Sequence, residues 1–466
     1  MSNYQVLIIG GGPGGYETAI RLNQYGIDCA LVEQRRVGGV CLNVGCIPTK
    51  ALVKSAELWN EMKEADSFGF TVPSLNLDYS KVFERKEKIV AQLVSGVEFL
   101  FRKRKIPVFL EKAVSVARQD NAYLLRTDAG TELGAQYLIV ATGSEPRGLP
   151  GIQIDEQNIL SSTGVLNLQT LPRSLAVVGG GVIGCEFASI MNSFGVQTQI
   201  IEFLPRIVAL EDEEISRRLT MALKKSGIAI KTGVGVQSVR QAGEEQELLL
   251  SDGSVVTAEK VLLSVGRAPV NNLDWKGESP AGERGAISID NLMRTNLPGV
   301  YAIGDVTAKM PLAHTASKQG MIVAEHIRSL TQNTDFHCPG LEYQNIPRCT
   351  FTFPEVASVG LSEAEAKEKY TQIKVGKFPF SANGKALAMG NSFGFVKIIA
   401  REEDSRLVGM HVIGPHAAEL IAQGSILISS GATAEVAENL IFAHPTLSET
   451  VKEALEDIRN LSINKI

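Results

Sequence analysis

Cys41 and Cys46, in Gly38-Gly39-Val40-Cys41-Leu42-Asn43-Val44-Gly45-Cys46-Ile47-Pro48-Thr49-Lys50, are the residues of this chain best suited to do chemistry. Glycines precede the pair and a helix-compatible run, Ala51 to Met62, comes after it, so the thiols are expected where a helix begins. The positive end of a helix stabilises a thiolate and can draw a cysteine pKa below its free value of about 8.5. Such a sulfur can donate electron density to an electron-poor ring, and two such sulfurs can open and close as a redox relay. Pro48 is expected to break the hydrogen bond back to Val44 and kink the segment, while Gly45 leaves room for a flat ring. A zinc site would want further Cys or His at short spacing, and none stands in the following helix, so no metal is expected. Cys29, Cys185, Cys338 and Cys349 read as small core residues.

The pair is positioned by a dinucleotide-binding pattern just before it. A buried strand, Val6 to Ile9, leads into Gly10-x-Gly12-x-x-Gly15, a helix, and a second strand, Cys29 to Val32, that ends in Glu33. Gly10 suits the tight turn, Gly12 the approach of a pyrophosphate, Gly15 the packing of helix on strand, and Glu33 the ribose hydroxyls. The pattern returns at Ser174 to Val178, Gly179-x-Gly181-x-x-Gly184, and a strand from Gln197 to Ile201 that ends in Glu202. Two dinucleotides are implied: FAD near the cysteines, and a nicotinamide coenzyme at the second copy. A carboxylate at Glu202 would repel a 2′-phosphate, which favours NAD over NADP, although Arg206 is a cation close by.

Tyr137 to Ser144 reads as the strand and turn closing the first nucleotide unit, and Val261 to Pro269 as its counterpart in the second. Gly304-Asp305 ends a further strand with an acid able to bind a polyol hydroxyl. The last hundred or so residues read as a separate α+β domain, with strands at Phe393 to Ala400 and Leu407 to Ile413 and helices at Ala417 to Gly431 and Ala434 to Ile441. Near its end, His444-Pro445-Thr446-Leu447-Ser448-Glu449 sets an imidazole and a carboxylate around a proline turn, where Glu449 could fix the ring's tautomer and His444 could take a proton from an incoming thiol.

With 466 residues the chain suits two to four domains. Its formal net charge of -5 argues against nucleic acid or anionic membrane as a partner, and the basic run Arg102 to Lys105 reads as a solvated helix C-terminus. No apolar run reaches the roughly twenty residues of a spanning helix. The strand-like Tyr4 to Ile9 leaves little room for a signal peptide, and a cytoplasmic location is expected.

From Tyr4 to about Asp457 the chain resembles the flavin-dependent pyridine nucleotide-disulphide oxidoreductases, through the cysteine pair, both glycine patterns, Gly304-Asp305 and the HPTLSE segment, in that order. The resemblance implies an α/β fold with two Rossmann-like dinucleotide-binding domains, for FAD and NAD, plus a C-terminal α+β dimerisation domain. The implied order is an FAD-binding domain at 1–145, an NAD-binding domain at 146–270, a central domain completing the FAD site at 271–342 and an interface domain at 343–466, in a homodimer. The implied flavin contacts are Glu33, Cys41, Lys50, Ala113, Gly143, Asp305 and Ala313, and the implied coenzyme contacts are Gly179 to Ile183 with Val182 among them, Glu202, Val236 and Gly266. Cys46 takes the place of the thiolate against the flavin and Cys41 that of the exchanging thiol. His444, from the partner subunit, takes that of the acid-base residue oriented by Glu449. Lys50 and Glu186 resemble the pair near the flavin's reactive edge. Glu202 and Val182 fit the branch of the family that oxidises protein-bound dihydrolipoyl groups to lipoyl while reducing NAD+. Its partners would be the lipoyl domains of 2-oxoacid dehydrogenase or glycine-cleavage complexes. The competing readings are an NAD(P)H-dependent flavoprotein reductase of another disulphide, like the glutathione-reducing members, a quinone reductase, and a non-enzymatic NAD sensor.

Overall fold

In the computed structural model, which describes residues 2–338 and 340–465, the chain forms two units. One gathers the chain up to Ala51 with Ser80–Arg147 and Gly266–Leu341; the other gathers Leu52–Tyr79, Gly148–Val265 and the chain from Glu342 onward.

In the first unit the strand Ser2–Ile9 lies parallel between Cys29–Val32 and Glu132–Val140. Its inner half, Val6 to Ile9, is apolar at every position because both faces of a parallel sheet are covered. The strands Ala113–Gln119 and Ala122–Thr127 extend this sheet antiparallel to one another, and Val300–Ala302 pairs with Glu132–Val140. The helices Pro13–Gln24 and Ala313–Gln332 approach closely through small residues: a Cβ built on Gly320 would lie 1.9 Å from the Thr18 hydroxyl, and one on Gly14 3.2 Å from Ala316. The helix Tyr79–Arg104 ends in the basic run, which places its cations at the negative end of the dipole.

The second unit has a parallel five-stranded sheet ordered Ala229–Thr232, Gln197–Glu202, Ser174–Val178, Lys260–Leu263, Ile159–Leu160. Its C-terminal part is an antiparallel sheet ordered Arg348–Thr350, Glu355–Gly360, Leu407–Gly414, Phe395–Arg401, Ile373–Pro379. The helices Ala417–Ser429 and Glu449–Asp457 pack on it over a core that includes Phe378, Ile398, Met410, Leu420 and Val451. Lys397 and His411, in adjacent strands, face each other across the sheet, both buried.

Three local expectations change. The break near the cysteines falls at Gly45 (φ −147°, ψ −115°), which separates the helix Gly39–Val44 from Cys46–Lys63. Pro48 sits in the first turn of the second helix, where its missing N–H costs nothing. The helix expected to reach Ile441 spans only Ala434–Glu438: the Asn439 backbone N–H turns back to Val436 O, its side chain caps Glu435 O, and Pro445 ahead disfavours helical backbone at His444. Among the described residues no helix is long and apolar enough to cross a membrane.

Candidate active site

Each glycine turn is a cradle with the same architecture. In the first, a Cβ on Gly10 would stand 2.2 Å from Ala141 O and one on Gly15 1.9 Å from Gly10 O, whereas one on Gly12 would meet nothing within 4 Å. The outer glycines hold the turn against the sheet and the middle one leaves open the space a pyrophosphate needs. Gly12 also N-caps the helix Pro13–Gln24 with no side chain in the way, so free N–H groups and the positive helix end face that space. Glu33, buried, accepts from Gly11 N (2.7 Å) and Arg35 N (2.7 Å), which fixes a carboxylate with lone pairs left for ribose hydroxyls. These features fit an FAD.

The second cradle repeats this. Cβ atoms on Gly179 and Gly184 would lie 2.5 Å from Ser264 O and 1.9 Å from Gly179 O, and one on Gly181 would meet nothing within 4 Å. Glu202 accepts from Gly180 N and, at 2.6 Å, from Leu204 N. Arg206, the cation that could have served a 2′-phosphate, donates to Glu211 O and Ala209 O at 2.8 Å each, so its guanidinium is engaged in holding its own loop. The residues present fit an unphosphorylated nicotinamide dinucleotide. Val182 opens the helix Val182–Ser193 and is 41% exposed, with Ile183 next to it, and Val236 opens the strand Val236–Ala242. Glu186, on the same helix, is buried and accepts from Phe351 N (2.9 Å).

The two cysteines divide their roles by position. Cys46 is exposed and is the first residue of an 18-residue helix; Cys41 lies half-buried inside the short helix before it. The Cys41 thiol donates to Cys46, and this bond, then burial, then the charge of Cys46 push its pKa well above the usual thiol range, against the pull of Lys50. Cys41 therefore holds its proton firmly, and of the two sulfurs only Cys46 stands at the start of the long helix.

Gly39 closes the first cradle toward the cysteines, since a Cβ there would lie 2.6 Å from the Gly12 Cα. Asp305 sits in a single 3₁₀ turn, Gly304–Thr307, whose first N–H is bound by the buried Gln319 side chain at 2.6 Å. Ser144 donates to Asp305, while Arg267 donates to Ser144 Oγ (2.7 Å) and Ser144 O (2.6 Å) and stands 3.9 Å from the carboxylate. Ser144, Arg267 and Gln319 were not among the residues expected to matter. Only the position of Ser144 and Arg267 at the ends of the two closing strands could have pointed to them. Ala113 begins its strand and Ala313 its helix, and Gly143 (φ +74°) and Gly266 (φ +111°) take positive φ in this unit.

His444 and Glu449 belong to the other unit and meet there: His444 Nδ1 lies 2.8 Å from Glu449 Oε1, while Glu449 Oε2 accepts from Thr446 N (2.8 Å). Burial raises the Glu449 pKa, but the Thr446 N–H and the imidazole outweigh it and leave the carboxyl below its ordinary value. The imidazole is 79% exposed, its Nε2 open to an incoming group. Among the described residues no three His, Cys, Asp or Glu side chains could hold a metal ion.

Two dinucleotide cradles, with a cysteine pair at a helix start beside the first, define a flavoprotein disulphide oxidoreductase. Residues 4–320 match the pyridine nucleotide-disulphide oxidoreductase family and 346–455 match that family's dimerisation domain, and the chain belongs to this family. It is 41% identical over 457 residues to a dihydrolipoyl dehydrogenase of Chlamydia muridarum, covering 97% of this chain and 96% of that one. Over 473 residues it is 39% identical to one of Bacillus subtilis, covering 97% of each. Among solved structures, LpdA from Mycobacterium tuberculosis has the same fold, with a TM-score of 0.89 at 24% identity over 98% of this chain and 99% of that one. The flavoprotein disulfide reductase RclA from Escherichia coli superposes with a TM-score of 0.85 at 25% identity, over 98% of this chain and all of that one.

Proposed function

We propose that this chain oxidises protein-bound dihydrolipoyl groups to lipoyl and reduces NAD+, with FAD held in the first cradle and NAD in the second. The observation that carries the reading is the division of labour in the cysteine pair, with one thiol holding the proton and the other at a helix start beside the FAD cradle. The relatives named dihydrolipoyl dehydrogenase support the choice of substrate. FAD when bound supplies a two-electron acceptor that can hand a hydride to NAD.

The chain's own groups account for the sulfur steps. A substrate thiol gives its proton to His444 and its sulfur attacks Cys41 of the oxidised pair; the S–S bond breaks and the electron pair leaves on Cys46 Sγ, where the helix start favours a thiolate. The second substrate sulfur then attacks the mixed disulphide, closing the lipoyl ring and returning Cys41 as a thiol. Glu449 holds the His444 ring in one tautomer, with Nδ1 toward the carboxylate and Nε2 toward the thiol. In this reading the imidazole comes from a second copy of the chain, in a homodimer built on the C-terminal domain. The chain comprises FAD-binding, NAD-binding, central and interface domains in that order, acts in the cytoplasm and serves lipoyl domains of a 2-oxoacid dehydrogenase or glycine-cleavage complex.

Anaerobic assay of NAD+ reduction by dihydrolipoamide tests the proposal. The parent should turn over, and Cys46→Ser should be folded, yellow and inactive in this reaction. A parent that reduces other disulphides or quinones with NAD(P)H, but leaves NAD+ untouched with dihydrolipoamide, would move the function to those alternatives.

A further inference from the structure

Glu202 is followed by a segment, 203–212, that ends as the N-cap of the helix Glu213–Lys225. Its middle is tied to the second cradle by Val208 N to Gly180 O (2.7 Å). Val208 has φ +40°, a conformation a β-branched residue avoids and keeps only where its surroundings impose it. The far end is held from the C-terminal sheet. Arg348 Nε lies 3.2 Å from Glu211 Oε1, a carboxylate only 4% exposed, and its Nη2 reaches Leu210 O. Lys397, buried between Val396 and Ile398, donates to both Asp212 oxygens (3.0 and 3.2 Å) and lies 2.6 Å from Glu363, while the Glu363 backbone N–H donates to Asp212 Oδ2. Buried ion pairs of this kind add little net stability but fix geometry, since removing one partner strands the other.

We propose that Arg348 and Lys397 are positioning residues for the coenzyme site. They hold residues 203–212 in the strained shape that presents Glu202 and the Gly180 turn to NAD. The proposal rests on the second cradle being the NAD site and not on the identity of the thiol substrate. Neither cation touches the cradle itself; each acts through Glu211 or Asp212.

The test is NADH titration of the FAD-loaded protein, followed by fluorescence, for the parent, Arg348→Met, Arg348→Lys and Lys397→Met, with thermal melts alongside. Arg348→Met should weaken NADH by about 5-fold or more, the usual size of a coupling between sites, and Arg348→Lys should recover much of the loss by restoring the charge beside Glu211. Reduction of the flavin by dihydrolipoamide without NAD should keep its parental rate in both. Should Lys397→Met fail to fold, the two Arg348 variants decide alone. NADH affinity unchanged in Arg348→Met, whatever its melting temperature, overturns the proposal, as does an equal loss in the dihydrolipoamide half-reaction. If the parent binds NADH but its flavin is not reduced by dihydrolipoamide, the thiol substrate has been misassigned and the titration still decides the role of Arg348.

Discussion

The two glycine cradles share nearly every backbone hydrogen bond and differ in the segment after the acidic residue. Gly10 N donates to Val32 O and Gly179 N to Ile201 O, each at 2.8 Å and each on the strand that leads to the acidic residue, and Gly11 O and Gly180 O each accept, at 2.7 Å, from a returning residue with positive φ. In the first copy that residue is Gly38, at φ +93°, where the conformation is free of strain and the chain passes at once into the helix carrying Cys41. In the second it is Val208, at φ +40°, in a loop braced from the C-terminal sheet. A relaxed closure suits a cofactor that stays, and a strained, externally held one suits a coenzyme that comes and goes. The motif sets where a dinucleotide lies, and the return loop sets how it is kept.

The strongest way to break the comparison is to fill both cradles alike. A Cβ on Gly12 or Gly181 meets nothing within 4 Å, so Gly12→Val and Gly181→Val should fold and obstruct only the pyrophosphate space. We expect Gly12→Val to be purified without yellow colour and wholly inactive, and Gly181→Val to be yellow and reducible by dihydrolipoamide yet unable to bind NADH. Absorbance at the flavin band and NADH titration distinguish them. Flavin retained in Gly12→Val, or lost in Gly181→Val, would mean that the two cradles have been assigned the wrong way round.

The spacing of glycines and acids made both cradles legible in the sequence, because the residue types are dictated by backbone geometry within some twenty positions. The helix start at the cysteines and the His444–Glu449 contact were legible for the same reason, being local. The long-range contacts escaped. Lys397 lies in an apolar run, Phe395-Val396-Lys397-Ile398-Ile399, and nothing nearby in sequence announces Asp212 as its partner. Arg206 reads in sequence first as a solvated loop arginine and second as a phosphate ligand; the carbonyls that occupy its guanidinium appear only when the loop folds. Arg267 and Ser144 are brought together by the antiparallel pairing of Arg267–Pro269 with Ser144–Pro146, a register that no periodicity encodes.

A smaller effect sharpens the second copy. The parent should prefer NAD to NADP, and Glu202→Ala should narrow the gap by about 10- to 100-fold, the scale of hydrogen bonds to a charged acceptor. Glu202 also holds Gly180 N and Leu204 N, so the narrowing should come largely from weakened NAD. NADP should not rise to the parent's efficiency with NAD, because Arg206 remains tied to Ala209 O and Glu211 O. Steady-state comparison of kcat/KM for both coenzymes checks this, and a variant that uses NADP as well as the parent uses NAD would show that Arg206 is free to turn toward a phosphate.

The smallest effect probes the strain itself. Val208 is buried, so truncation to glycine forfeits its apolar contacts, worth about 1.5–3 kcal/mol. Glycine adopts φ +40° freely, however, and relieves a strain of about 1–3 kcal/mol. The strain relief should offset much of the lost burial, so Val208→Gly, which also carries glycine's unfolded-state entropy, should cost about 1–3 kcal/mol less than the same truncation at an unstrained site. Val178, equally buried but in a regular strand, has no strain to relieve, and Val178→Gly should cost its full burial plus the entropy of a strand glycine. Urea melts of the FAD-loaded proteins compare the two. Equal losses would show that Val208 sits without strain, and the contrast between the two return loops would then reduce to the cations that brace the second one.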